Sequence, residues 1–214
     1  GASSPTPDEA LAIFASALAS QGLSENETAV YLDRGQKILR RYLEQEATHW
    51  SIPIDVEYNF TPHSVMLDGA IPITGKLDKI EPIAGTHKVR IVDYKTGAAK
   101  SRRAILGQTA THDQDYWRQL KFYAVLAQAD PNFPYEVGEV ALAFIDPNAK
   151  FKTEAFTIDT ADIEEMKQTI RQIHGRILEH DFIHTPHKKR GYEDDGPNLC
   201  DRLQELQLLA PVPR

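Results

Sequence analysis

The sequence predicts an α/β (α+β) fold: a mixed central sheet flanked by helices, with an N-terminal helical portion. Three observations lead there. The first fifty residues place apolar side chains at helical spacing, and the next forty alternate apolar and polar residues with period two. The second half then runs helix, strand, strand, helix. A chain of 214 residues can bury a sizeable core, hiding roughly 70% of its unfolded surface.

Taken in order, Pro7-Asp8-Glu9 followed by Leu11, Phe14, Ala15 and Leu18 predicts a first helix, stopped at Gln21-Gly22. Ser24 and Glu27 have capping-box spacing and open a second helix to about Thr48. Its buried face is expected from Val30, Leu32, Ile38, Leu39, Tyr42 and Leu43. Ile54, Val56, Tyr58 and Phe60 mark a strand, and Val65-Met66-Leu67 a short second one turned by Asp68-Gly69. Ile71 to Ile80 reads as a third strand and Lys88 to Tyr94 as a fourth, with Ala84-Gly85 between them, so a meander is expected. A polar stretch from Thr96 to Thr111 contains Lys100, Arg102 and Arg103. A helix from about Asp113 to Ala129 follows, then strands through Val140–Ile145 and Phe151–Ile158, and a long helix from Thr160 to about Glu179. The Asp-Thr-Ala-Asp opening caps that helix. The remainder reads as a loop before a short amphipathic segment at Asp201 to Leu209. These elements divide into a helical portion (1–50), a core (51–185), and a C-terminal loop and short helix (186–214).

Composition narrows the function classes. The hydrophobic and charged fractions, 41% and 26%, are ordinary for a globular protein. No apolar run approaches the ~20 residues that span a bilayer, so no membrane partner is expected. The single cysteine, Cys200, allows neither an intrachain disulfide nor a four-cysteine zinc or iron–sulfur site. No signal-peptide pattern is present, and a cytoplasmic location is expected. The opening Gly-Ala-Ser-Ser-Pro-Thr-Pro, without methionine, reads as part of a longer protein. A net charge of −7 argues against a general nucleic-acid binder, although a site of carboxylates and divalent metal is acidic by necessity. No Gly-rich phosphate loop occurs, so any ATPase motor lies on another domain or partner.

Two segments carry the chemistry: Gly75-Lys76-Leu77-Asp78-Lys79-Ile80 and Ile91-Val92-Asp93-Tyr94-Lys95-Thr96-Gly97. Adjacent strands lie ~4.8 Å apart, so Asp78 and Asp93 at neighbouring strand positions can share a metal ion. The period of two puts Lys95 on the face of Asp93. Tyr94 faces away, yet its backbone carbonyl can be a further ligand. Oxygen ligands of this kind suit Mg²⁺ or Mn²⁺, and phosphodiester hydrolysis needs the charge neutralisation and activated water that such ions supply. Lys95 can orient or help deprotonate that water, or stabilise developing negative charge. Asp-x-Lys alone is common at solvated strand ends; its combination with Gly-x-x-Asp is far more specific.

Together these segments resemble the nuclease domains of the RecB family, of the PD-(D/E)xK type, including those fused to UvrD/Rep-type and AddAB-type helicases. The family carries a Gln-x-x-x-Tyr motif on the next helix, matched by Gln119 and Tyr123, four residues apart and so on one face. Glu57 resembles an acidic position on the family's first strand, where a metal-site role and an exposed glutamate are both open. The resemblance covers residues 53 to 130 by motif and the whole chain by element order, and implies a restriction-endonuclease-like sheet. It implies DNA as substrate, Mg²⁺ or Mn²⁺ as cofactor, and a helicase or ATPase domain as partner in double-strand-break repair or recombination. Asp78 and Asp93 would bind metal, Lys95 would be catalytic, and Gln119 and Tyr123 would position substrate. The family's upstream histidine-bearing helix has no convincing counterpart at His49 or His63, and the cysteine count excludes the iron–sulfur cluster of some relatives. A catalytically inactive nuclease fold for DNA guiding or protein docking is the alternative, and a stand-alone restriction- or resolvase-type nuclease a third. His184, His187 and the basic Lys188-Lys189-Arg190 read as surface loop, and Cys200 as a small structural residue.

Overall fold

A computed structural model describes residues 6–46, 52–110 and 114–179. His49, His184, His187, the Lys188–Arg190 triplet, Cys200 and the expected segment at 201–209 lie outside the described residues. The chain divides into two compact units, 1–166 and 167–214; of the second, only 167–179, within the last helix, is described.

Helix α1 (Pro7–Ala19) opens on a capping box. Thr6 Oγ1 accepts from Glu9 N at 3.3 Å, and the Glu9 carboxylate accepts from Thr6 N at 2.7 Å. Helix α2 (Glu25–Glu46) opens on the expected Ser24–Glu27 box, closed at 3.3 and 3.1 Å. Each box satisfies backbone donors that the first helical turn leaves without partners. The two helices pack as a hairpin. Val30, expected on the buried face, is instead 64% exposed, while Leu43 is buried; the face that α2 covers runs through its C-terminal half.

The central sheet has the order β1-β4-β5-β6-β7, built from β1 (Asp55–Asn59), β4 (Lys76–Pro82), β5 (Lys88–Lys95), β6 (Glu136–Phe144) and β7 (Thr153–Phe156). β1, β4 and β5 pair antiparallel, β5 and β6 parallel, and β6 and β7 antiparallel, so the sheet is mixed as expected. Up to Lys95 the sheet is the expected meander, β1-β4-β5, with β2 and β3 left out of it; the parallel step that follows needs a crossover to carry the chain from β5 to β6. It holds α3 (Arg102–Ile105) and α4 (Asp115–Ala129). The third expected strand is broken in two. β2 (Met66–Leu67) and β3 (Ile71–Pro72) form a separate hairpin, because Ile73 N turns to Val65 O at 3.0 Å, and β4 begins only at Lys76. The expected Phe151–Ile158 strand shortens to β7, since Lys150 and Phe151 take left-handed turn conformations. Helix α5 (Thr160–Leu178) is capped by Asp159, whose Oδ1 accepts from Asp162 N at 2.8 Å.

Alternation along β5 and β6 gives the sheet two dissimilar faces. Ile91, Val140, Leu142 and Phe144 are fully buried on the face covered by α4, where Tyr116 meets Phe144 with ring centroids 6.1 Å apart. Val92, Ala141, Ala143 and Ala155 make a small-residue cluster on the other. β4 approaches α4 closely at Gly75, where a β-carbon would stand 3.0 Å from Leu126 Cδ1. The glycine of the Gly-x-x-Asp segment thus lets the strand lie against the helix. Gly75→Val is expected to cost about 1–3 kcal/mol through overpacking, read as a lowered denaturation midpoint with unchanged m-value. Of the described helices, none is long and apolar enough to cross a membrane.

Candidate active site

Period two sends Ile91, Asp93 and Lys95 towards α4 and Val92 and Tyr94 to the opposite face. The Tyr94 side chain hydrogen-bonds Tyr42 of α2 there; burial pushes its phenol up in pKa, and that hydrogen bond opposes the shift. The paired ladder of β4 and β5 runs from Pro82↔Val89 to Lys79↔Val92, and Asp78 and Asp93 are the next residues at its end. There the Tyr94 N–H donates to Asp78 Oδ2 at 2.8 Å, so a side chain takes over from the backbone where the ladder stops.

Asp93 is 4% exposed. Its Oδ1 accepts from Tyr123 Oη at 2.8 Å and from Gln119 Nε2 at 3.1 Å. Gln119 Nε2 also donates to Tyr123 Oη at 2.7 Å, and its Oε1 accepts from Lys95 Nζ at 2.7 Å. Asp93 Oδ2 is buried and receives no hydrogen bond of good direction among the described residues, although Lys95 Nζ stands 2.6 Å away as an ion pair. The ammonium supplies counter-charge but is badly aligned to the oxygen, which leaves a lone pair open to a further partner.

Burial and the neighbouring charges leave their mark on the acids. Burial first, then the adjacent carboxylates of Asp93 and Glu57, hold the Asp78 carboxyl above the usual range, with the Tyr94 N–H and Lys95 opposing. Burial and the Asp93 charge push the Tyr123 phenol up, so it stays a hydrogen-bond donor. A raised carboxyl pKa means that the folded state loses stability as pH rises through that pKa, and that Asp78 is a net cost at neutral pH. Asp78→Asn is therefore expected to raise the Tm of the metal-free protein, seen by calorimetry in chelator, with the gain shrinking towards acidic pH.

The structure brings Asp78, Asp93, Lys95, Gln119 and Tyr123 together. Glu57 stays apart, exposed and paired with Lys76, on a backbone in the left-handed region at φ 57°; only its charge reaches Asp78. His63 is bonded to Asp130, at the C-terminal cap of α4, and takes no part. One neighbour escaped the sequence reading. Tyr116 lies one turn before Gln119, with Lys95 Nζ 5.2 Å and Lys100 Nζ 4.4 Å from its ring centroid. The signal was the spacing 116, 119, 123, which is one helical stripe.

Two neighbouring carboxylates and an open buried oxygen suit a hard divalent cation. Among the described residues no three His, Cys, Asp or Glu side chains converge, so the remaining ligands would be backbone carbonyl, water and substrate oxygen. The profile of the PD-(D/E)XK nuclease superfamily matches residues 2–202. The chain belongs to that superfamily, and nuclease chemistry on DNA is what the fold implies. No curated protein matches the chain.

Proposed function

We propose that this chain is the Mg²⁺- or Mn²⁺-dependent nuclease part of a RecB-like helicase–nuclease that hydrolyses DNA phosphodiesters in repair or recombination. The observation that carries the reading is Asp93: one oxygen is fixed by two donors, and the other is buried, open and beside a lysine. Asp78, Asp93 and the Tyr94 carbonyl would hold the cation, with Glu57 as an outer, supporting acid. Such a cation supplies charge neutralisation at the phosphate and lowers the pKa of water. The chain's own groups do the rest. Gln119 and Tyr123 keep Asp93 from rotating, and Gln119 Oε1 aims the Lys95 ammonium. Lys95 then orients the attacking water or meets the negative charge that develops on phosphate oxygen, in a site already partly stripped of solvent. The division into 1–50, 51–185 and 186–214 is proposed with it, the middle part being the nuclease core, the motor lying on another domain or a partner subunit, and the whole acting in the cytoplasm.

The test is a Mn²⁺ titration followed by thermal shift and by cleavage of labelled DNA. Mn²⁺ binding to the folded state raises Tm by mass action, and Asp93→Ala is expected to lose both the shift and the cleavage while keeping its circular dichroism spectrum. A wild-type protein that cuts DNA but shows no such dependence on Asp93 overturns the assignment. The absence of a third converging acid among the described residues favours a second reading, a catalytically silent docking module. That module has no reason to bind Mn²⁺ through Asp78 and Asp93, so the same titration separates the two.

A further inference from the structure

We propose that Lys100 binds a phosphate of the substrate next to the one that is cleaved, with Tyr116 as the positioning residue that holds it there. The inference rests on the nuclease reading above and deepens it, adding a contact that the five motif residues do not provide.

The argument begins with an imbalance of charge. Two ammonium groups share one ring: Lys95 Nζ at 5.2 Å and Lys100 Nζ at 4.4 Å from the Tyr116 centroid. An aromatic face attracts one cation well, and a second like charge on the same ring repels the first and favours an anion beside it. Lys95 is answered by Asp93 Oδ2 at 2.6 Å and Gln119 Oε1 at 2.7 Å. Lys100 makes no ion pair or hydrogen bond with any described residue, though it is only partly exposed. Two other cations near the site differ, while Arg103 is exposed to solvent. Arg102 is held by Glu154 at 3.6 Å and the Ala155 carbonyl at 2.8 Å, and Lys121 by Glu165 at 2.7 Å. In a chain of net charge −7, a cation beside the reacting groups with no carboxylate partner among the described residues is placed to meet an anion that arrives from outside. A nucleic-acid strand crossing Asp93 and Lys95 brings one phosphate to the metal-binding carboxylates and another to its neighbour. Tyr116 ties the two lysines together: it sits on the stripe of α4 that carries Gln119 and Tyr123, and its ring is braced by Phe144.

The experiment compares wild type with Lys100→Met, which keeps the apolar stem and removes the charge. Binding of a fluorescent single-stranded oligonucleotide is measured by anisotropy in chelator across a salt series, and cleavage is measured separately with Mn²⁺. Lys100→Met is expected to weaken binding by ~3- to 10-fold and to reduce the slope of log K against log salt by about 0.7, the loss of one phosphate contact. KM should rise with kcat nearly unchanged, and Lys100→Arg should restore both slope and KM. Tyr116→Phe keeps the ring and should match wild type, whereas Tyr116→Leu should reproduce the Lys100→Met defect. An unchanged salt slope and KM in a well-folded Lys100→Met overturns the proposal while leaving the nuclease reading intact. Wild type that binds with the expected slope but never cuts overturns the nuclease reading and leaves the phosphate contact standing. A wild type that neither binds nor cuts overturns both.

Discussion

Lys95→Ala is expected to abolish DNA cleavage, by ~10²-fold at least, yet to keep the Mn²⁺-dependent rise in Tm. The two readouts part because, in the proposed site, Lys95 and a divalent cation would compete for one atom. Asp93 Oδ2 is buried, lacks a well-directed hydrogen bond and lies 2.6 Å from Lys95 Nζ. With the ammonium gone, that carboxylate has lost its one cation among the described residues, and a positive ion gains by entering. Mn²⁺ affinity should therefore hold or tighten, while the group proposed to face the reacting phosphate is missing. Calorimetric titration of the variant checks the first half, and single-turnover cleavage the second. A variant that loses Mn²⁺ binding along with activity would show that Lys95 only supports the fold of the site.

The largest loss of stability should come from a pair far from the chemistry. His63 Nδ1 hydrogen-bonds Asp130 Oδ2, with the Asp130 side chain wholly buried and a quarter of His63 exposed. The pair pins the turn after β1 to the end of α4, among the rings of Tyr58, Phe60 and Phe133. Removing one partner of a buried pair costs about 3–5 kcal/mol because the other is left uncompensated. Here the Asn132 N–H still serves Asp130 at 2.8 Å, and His63 is partly wet, so His63→Ala should cost about 2–3 kcal/mol. For a domain of this size that lowers Tm by roughly 4–12 °C. A thermal melt within a degree of wild type would show that the pair contributes nothing. Cleavage at low temperature should survive, since the pair does not touch Asp93 or Lys95.

Legibility in the sequence followed the range of the interactions. Asp93, Tyr94 and Lys95 could be assigned to faces because a strand has period two, and Gln119 with Tyr123 because a helix brings residues four apart together. Tyr116 obeys the same rule but lies one turn before the motif begins. Helix α3 hid inside a polar stretch, although Ser101 caps it through Ala104 N at 3.2 Å. The break in the third strand was legible only in part. Pro72 and Gly75 are residues that weaken a strand interior, but the bond that interrupts it goes to Val65, a partner fixed by the tertiary fold. The outward turn of Val30 and the left-handed backbone of Glu57 likewise depend on neighbours that no local pattern names. The His63–Asp130 pair spans 67 residues, and no periodicity reaches that far.

The single stripe formed by Tyr116, Gln119 and Tyr123 has a consequence for how such a chain can change length. Between α3 and Tyr116 residues can be gained or lost with least effect, because Lys100 and the buried Ala104 and Ile105 lie before that stretch and the helix after it is held by its own packing. Within the stripe no such freedom exists. One residue added between Tyr116 and Tyr123 turns every later side chain by ~100° about the helix axis, and the amide that joins Lys95 to Asp93 would no longer stand over both. Natural variation in length should therefore gather in the connection before α4 and stop abruptly at its first turn.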